Sequence, residues 1–314
     1  MNPSPPAGAR SDEPVTHEEV WLLGQPPLGD YLSFVKDRAI GGAQESPAAL
    51  TDEWRRANDY YQELEDTELG IADQAGRRDL DPRLAPLAAE VMAHPYCRRT
   101  FDTLPTTIEM VEVEKLIVCQ RSVTWTFVER VKTGLGHDPD PEALFRFCLP
   151  LDDREQPVQV RREGSRRYVF RSESMDLRYH GTTLFRPDQI ADHEAFGPMA
   201  GIVGVVVGFG SNFLNVIRAD HRMVLHNGYH RACALLALGI QYAPAIVQTV
   251  SRGEELEITA KDSVSKDPDF YFRSARPPLL KDFLDPRIRR VLRIPSISRV
   301  VEVTYDVRDY DVSE

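Results

Sequence analysis

Apolar residues recur at helical spacing through the first third of the chain. Trp54, Ala57, Tyr61 and Leu64 fall on one face of a predicted helix. Thr51 can cap it, Glu53 sits in its first turn, and it runs to about Ala72 with a solvated acidic face opposite. Asp81-Pro82 opens a second helix, with Leu84, Leu87, Ala88, Val91 and Met92 as its buried stripe. Upstream, Glu18–Ala39 carries Trp21, Leu22, Leu23, Tyr31, Leu32, Phe34 and Val35. The Gln25-Pro26-Pro27 break divides it into two pieces, the second helical from Gly29. Residues 17–105 are therefore predicted as a helical region that packs on a core or presents a protein-partner surface. Residues 1–16, rich in Pro, Ser, Ala and Gly, are predicted as a disordered tail.

Beyond residue 105 the pattern favours strands. Trp125–Thr133 begins as a helix, and Gly134–Pro141 reads as a loop. Pro157–Arg162 and Arg166–Arg171 flank Glu163-Gly164-Ser165 as a hairpin, and Tyr179, Leu184 and Phe185 mark another strand. Gly201–Val207 reads as a buried apolar run, followed by the glycine-rich Gly208-Phe209-Gly210-Ser211-Asn212. Phe213–Arg218 alternates as a strand, Ala219-Asp220-His221 is a turn, and Arg222–His226 returns. After Val250 helical character is poor, and a basic stretch punctuated by Pro277-Pro278 and Pro286 leads to a closing strand over Val300–Val307. The expected fold class is α/β (α+β). It has a core over 106–250 carrying a β-rich insertion at about 130–200, and a basic extension over 251–314.

The richest chemistry lies in Val224–Ile240, read as strand, tight Asn227-Gly228 turn and helix. A helix start presents unpaired N–H groups and the positive end of the helix dipole, which together favour an anion. Gly228 lets the backbone approach a ligand closely, and His230 and Arg231 add side-chain donors. The four cysteines are scattered and form no CxxC pair, which argues for a reducing compartment and against a zinc ribbon. No apolar run is long enough to span a bilayer and no signal peptide is evident, so a cytoplasmic, membrane-free protein is expected. The net charge of −11 argues against nonspecific nucleic-acid binding by the whole chain. Arginines do concentrate locally, at Arg161, Arg162, Arg166, Arg167, Arg171, Arg178 and Arg186, and again between Arg273 and Arg293. The expected role of these clusters is to balance acidic helices, with single-stranded nucleic acid as the alternative. His221, His226 and His230 straddle the predicted turn and strand alternation separates them, so no metal site is expected.

The Gly228-Tyr229-His230-Arg231 segment resembles the Gly-x-His-Arg box of the ParB/sulfiredoxin superfamily, in which that box binds a nucleotide's phosphates. The flanking hairpin, Gly239-Ile240 and Ala243–Val247 are similar to the family pattern, and Met110–Gln120 looks like its first strand and the glutamine that follows it. The strong likeness covers Phe213 to Gln248. It implies that Asn227, Gly228, Tyr229, Gln120, Gly208, Gly210, Ser211 and Asn212 line a ligand site. His226, His230 and Arg231 would be its chemically active residues.

Two departures matter. Sulfiredoxin has cysteine at the position of Tyr229, so its sulfur chemistry is not carried over. The free-serine-kinase branch has an acidic residue at the position of Asn227, and Asn cannot serve as a base, leaving Asp220 or Glu194 as candidates. No helix-turn-helix pattern follows the box, against a partition role. The resemblance thus implies a nucleotide-binding enzyme, with ATP or another nucleotide plus magnesium, that transfers or hydrolyses a phosphoryl group near a small acceptor. The alternatives are a nucleotide-gated regulatory protein without turnover, a site reused for another anionic metabolite, and a nucleic-acid-binding or nuclease protein.

Overall fold

A computed structural model describes residues 15–151, 157–174, 176–190, 197–210 and 212–312. The chain is mixed α/β and forms two compact units, Met1–Leu151 with Asn212–Ser296, and Asp152–Ser211 with Ile297–Glu314. In the first unit β1 (Thr16–Leu22) leads to α1 (Leu28–Arg38), α2 (Pro47–Thr67), β2 (Arg77–Arg78), α3 (Ala85–Ala93) and α4 (Pro95–Thr100). Then come β3 (Thr106–Glu112), β4 (Ile117–Val118), β5 (Ser122–Thr124), α5 (Trp125–Leu135) and α6 (Pro141–Cys148). The second unit contributes β6 (Gln159–Arg162), β7 (Arg167–Ser172), β8 (Leu177–Phe185) and β9 (Ile202–Phe209). The chain returns as β10 (Asn215–Ala219), β11 (Arg222–Asn227), α7 (Tyr229–Ala237) and β12 (Tyr242–Val250). It closes with α8 (Gly253–Thr259), α9 (Asp262–Lys266), α10 (Pro268–Phe272), β13 (Arg289–Pro295) and, in the second unit, β14 (Arg299–Thr304).

The main sheet has the order β2-β3-β12-β10-β11-β4. β10 and β11 form the expected antiparallel hairpin, and α7 carries the chain from β11 to β12, which runs parallel to β10. β4 runs parallel to β11, with Val118 opposite Leu225. Both faces of this sheet are covered, which explains the near-continuous apolar runs in β10 to β12. Val216, Met223 and Leu225 join a core with Val128 of α5, Phe145 of α6 and Leu235 of α7. Ile217 and Val224 point the other way, into a core with Leu256, Val264 and Tyr271.

A second sheet, β13-β1-β5, is antiparallel and carries α1 and α2 through Trp21, Tyr31, Val35, Ala57, Tyr61 and Leu292. The N-terminal region is therefore helical from Leu28 to Arg38 and from Pro47 to Thr67, but it begins with a strand. The second helix starts earlier than Thr51. Pro47 occupies its first turn, Ser46 Oγ accepts from the Ala49 amide, and Thr51 instead bonds back to the Pro47 carbonyl. The strand expected over Met110–Gln120 is two strands. It breaks at Val113–Leu116 because β3 pairs with β12 whereas β4 crosses to β11. The stretch after Val250 is richer in helix than its pattern suggests, with three short helices covering one sheet face. α6 and β13 are likewise elements that the pattern did not mark.

The basic stretch after Arg273 is a set of internal staples. Arg276 is 1% exposed and bonds Asp282 at 2.5 and 2.6 Å, Glu68 at 3.0 and 3.1 Å, and the Tyr61 hydroxyl at 3.2 Å. Asp282 also accepts from the Leu279 amide, and Lys281 reaches Glu68. Arg290 bonds Glu45, Glu53 and Tyr31 in the same way, which fastens α1 and α2 to β13.

In the second unit β14-β7-β6 form an antiparallel sheet and β8-β9 a hairpin. The apolar run at Gly201–Val207 is not buried: Val203 is 72% exposed and Val205 and Val206 are exposed too. Its strand pairs with β8, and Arg299 at the start of β14 bonds the Leu177 carbonyl at one end of that hairpin. The arginines here are largely paired. Arg166 meets Asp306, Arg167 meets Glu302 and Glu163, Arg178 meets Asp176, and Arg186 meets Asp188.

Replacing Arg276 by Met should strand the buried Asp282 carboxylate and cost roughly 3–5 kcal/mol, read as a lowered urea midpoint. Arg276→Met combined with Asp282→Leu should recover part of that loss, because the buried charge at residue 282 leaves with its partner.

Candidate functional site

The parallel strands β4 and β11 end side by side, and α7 starts where β11 stops. Crevices at the carboxyl ends of parallel strands are where α/β sheets commonly place ligands. Gly228 makes the turn with φ +91°, and a Cβ there would meet Leu214 Cδ1 at 2.8 Å and Leu214 Cα at 3.0 Å. Glycine is thus required both by conformation and by the close pass of the strand entering β10.

Tyr229 then turns inward. It is 3% exposed, its hydroxyl donates to the Leu225 carbonyl at 2.7 Å, and it accepts the Cys119 amide at 2.9 Å. Cys119 Sγ lies 3.2 Å from the same oxygen. Burial, reinforced by Cys119, holds this phenol well above its ordinary pKa, so it stays protonated. Tyr229 is thus a buried strut joining the residue after β4 to Leu225 of β11.

His230 packs edge-on against Phe127, with ring centroids 4.7 Å apart, and its Nε2 is enclosed without a partner among the described residues. Burial lowers its pKa to about 4, with Arg231 and Arg130 adding to the effect. His226 is likewise lowered to about 4 by burial and by Lys261. Both imidazoles are therefore neutral at pH 7 rather than cationic. Arg231 donates to both the backbone and the side-chain oxygen of Asn212, the latter at 2.6 Å, and its guanidinium lies 5.8 Å from the Phe147 ring. It pins the loop that enters β10 beside the start of α7.

Three cations act on side chains at this end of the helix, Lys261 on His226 and Arg130 and Arg231 on His230. Arg231 is on the helix, Arg130 stands over the Phe127 ring at 4.5 Å, and Lys261 stands over the Tyr229 ring at 4.9 Å. Lys261 and Arg130 were not legible in the sequence, because each acts through an aromatic partner distant along the chain. Gln120 follows Cys119 at the end of β4, and Asn227 ends β11 beside it. The expected set His226, Asn227, Gly228, Tyr229, His230, Arg231, Asn212 and Gln120 is thus gathered in the first unit.

Other expected members lie elsewhere. Gly208 is inside β9, and Gly210 follows it, donating to the Asp176 carbonyl in the second unit. Ser211 and Glu194 lie outside the described residues. Asp220, with φ +52°, and His221 form the turn at the opposite end of β10 and β11, so Asp220 is no base for this site. Cys233 is buried and burial pushes its thiol far up, which fits a packing residue. Among the described residues no cluster of His, Cys, Asp and Glu has the arrangement of a metal centre. No described helix is long and apolar enough to cross a membrane. No family model matches the chain, and no curated protein or solved structure matches it either.

Tyr229→Phe should leave the Cys119 amide and the Leu225 carbonyl unpaired and cost about 1–3 kcal/mol in urea unfolding. The histidines give a pH dependence of definite sign. Their pKa values are lowered on folding from 6.5 to about 4, so the unfolded chain binds more protons between those values. The stability they contribute is complete above about pH 6.5 and is lost as pH falls towards about 4. A His226→Gln/His230→Gln variant should show a shallower fall of the urea midpoint across that window than the native chain.

Proposed function

We propose that the amino end of α7 is an anion site that binds the phosphates of a nucleotide, and that the protein acts on that nucleotide by phosphoryl transfer or hydrolysis. The observation that carries this reading is the convergence of Arg130, Arg231 and Lys261 on a helix start opened by Gly228, in a chain whose net charge is −11. Cations gathered at a helix amino end in an acidic protein focus an anion there. The resemblance of Gly228–Arg231 to the ParB/sulfiredoxin box supports the same ligand class.

The chemistry would rest on positioning and charge stabilisation, which dominate phosphoryl transfer. First-turn amides and Lys261 would hold the phosphates, and Arg231 would keep the Asn212 loop in place. His230 and His226 would supply neutral imidazole hydrogen bonds to charge developing on the transferred group. Magnesium would enter with the nucleotide, held mainly by phosphate and water oxygens.

A second reading, a nucleotide-gated regulatory protein without turnover, draws on one specific observation. Asn227 cannot act as a base, and Asp220, the described acidic candidate, sits at the far end of the hairpin. Calorimetry with ATP, ADP, CTP and GTP plus magnesium tests both. Lys261→Ala and Arg130→Ala should each weaken binding about tenfold, the scale of one charge-assisted contact, with unfolding midpoints unchanged. If the native chain binds none of them, both readings fall. If it binds and no product accumulates over hours, the regulatory reading replaces the enzymatic one.

A further inference from the structure

Beside the box lies a cavity of about 320 Å³, at the small end of the range for organic ligands. Its floor is the end of β4, Val118, Cys119 and Gln120, and Cys119 is the residue whose amide Tyr229 accepts. The cavity and the box are therefore joined through the Cys119 backbone, which lines the one and bonds Tyr229 of the other. Its walls come from outside the segment that resembles the ParB/sulfiredoxin core. Leu22, Gln25 and Pro26 form one side, and Ser263, Phe270 and Tyr271 form the other.

Two of the three charged residues at this cavity are paired within the protein, and the third, Asp267, leaves it a negative charge. Arg121 is paired with Asp30, and Asp282 with Arg276. Asp267 caps α10 through the Phe270 amide. The remaining polar groups are neutral: the carboxamides of Gln25 and Gln120, the Ser263 hydroxyl and the Tyr271 phenol. Tyr271 is held above its ordinary pKa, chiefly by burial, and so stays neutral as well. A cavity of this kind repels a second anionic group and welcomes an uncharged one. Each carboxamide offers a donor and an acceptor side by side, the complement of a nucleobase edge. Phe270 and Tyr271 contribute aromatic surface, and base–aromatic contacts tolerate any base.

We infer that this cavity is the nucleoside subsite, taking the base of a ligand whose phosphates lie at the amino end of α7. The inference rests on the anion site proposed above for the charged end of the ligand. It adds that selectivity for the uncharged end resides in the N-terminal strand and its Pro-rich turn and in the α9–α10 segment, not in the box.

The test compares adenosine, cytidine, guanosine and uridine, their triphosphates, and inorganic tripolyphosphate, by calorimetry on the full chain. At least one nucleoside should bind, and its triphosphate should bind at least tenfold more tightly than tripolyphosphate. Ser263→Phe, a substitution at an exposed position on the cavity wall, should remove that advantage and leave tripolyphosphate affinity within twofold. Gln120→Leu should reduce nucleoside affinity at least tenfold, with the urea midpoint of each variant confirming its fold. The inference is overturned if no nucleoside binds, if triphosphates bind no better than tripolyphosphate, or if both variants leave the preference unchanged. Nucleoside binding that depends on Ser263, with no binding of tripolyphosphate, would instead uphold the cavity and sink the anion site.

Discussion

One phenol holds the candidate site together. The Tyr229 hydroxyl donates to its own strand at Leu225 and accepts from the neighbouring strand at Cys119. It thereby ties the residue after β4 to β11, just before Gln120 on the one side and Asn227 on the other. The same residue begins α7, so the helix axis is set by the strut. Gly228 permits the turn, but without the buried phenol nothing in the turn itself would aim the helix start at the crevice between the strands. A buried hydroxyl with both hydrogen bonds made is worth retaining, because losing either partner leaves a main-chain group unsatisfied.

Charge is divided by depth. The acidic excess is carried by exposed surfaces such as the outer side of α2, while many arginines are spent on internal fastening. Arg276 and Arg290 join the helical N-terminal layer to the chain's last segments, and Arg222 ties β11 to Asp73 and to the Tyr271 carbonyl. Against this background, Arg130 and Lys261 stand out because, among the described residues, they face aromatic rings rather than carboxylates. Arg130 and Lys261 rest on Phe127 and Tyr229, an arrangement that orients a cation without neutralising it.

Much of the local architecture around the box was legible in the sequence. The alternation of Phe213–Arg218 and Arg222–His226, the Gly228 turn and the apolar helix that follows each obey short-range rules. The structure agrees with them within a residue or two. What escaped depends on long-range contacts. The break at Val113–Leu116 is invisible in a run that stays apolar, because it is set by which partner each half finds. The exposed β9 was read as buried because apolar content cannot report whether a second layer exists to cover it. The basic C-terminal stretch looked like a surface, whereas its partners Glu45, Glu53 and Glu68 lie more than 200 positions away along the chain. The neutrality of His226 and His230 is likewise a consequence of burial that no spacing reveals.

The central claim is that the amino end of α7 is where an anionic ligand docks. Backbone amide spectra recorded during a titration with magnesium nucleotide test it most directly, since they report on position rather than affinity alone. The account predicts that the largest shifts fall on the amides of Gly228, Tyr229, His230 and Arg231, with Cys119 and Gln120 following. Shifts confined to other surfaces, with these amides unmoved at saturation, would contradict it.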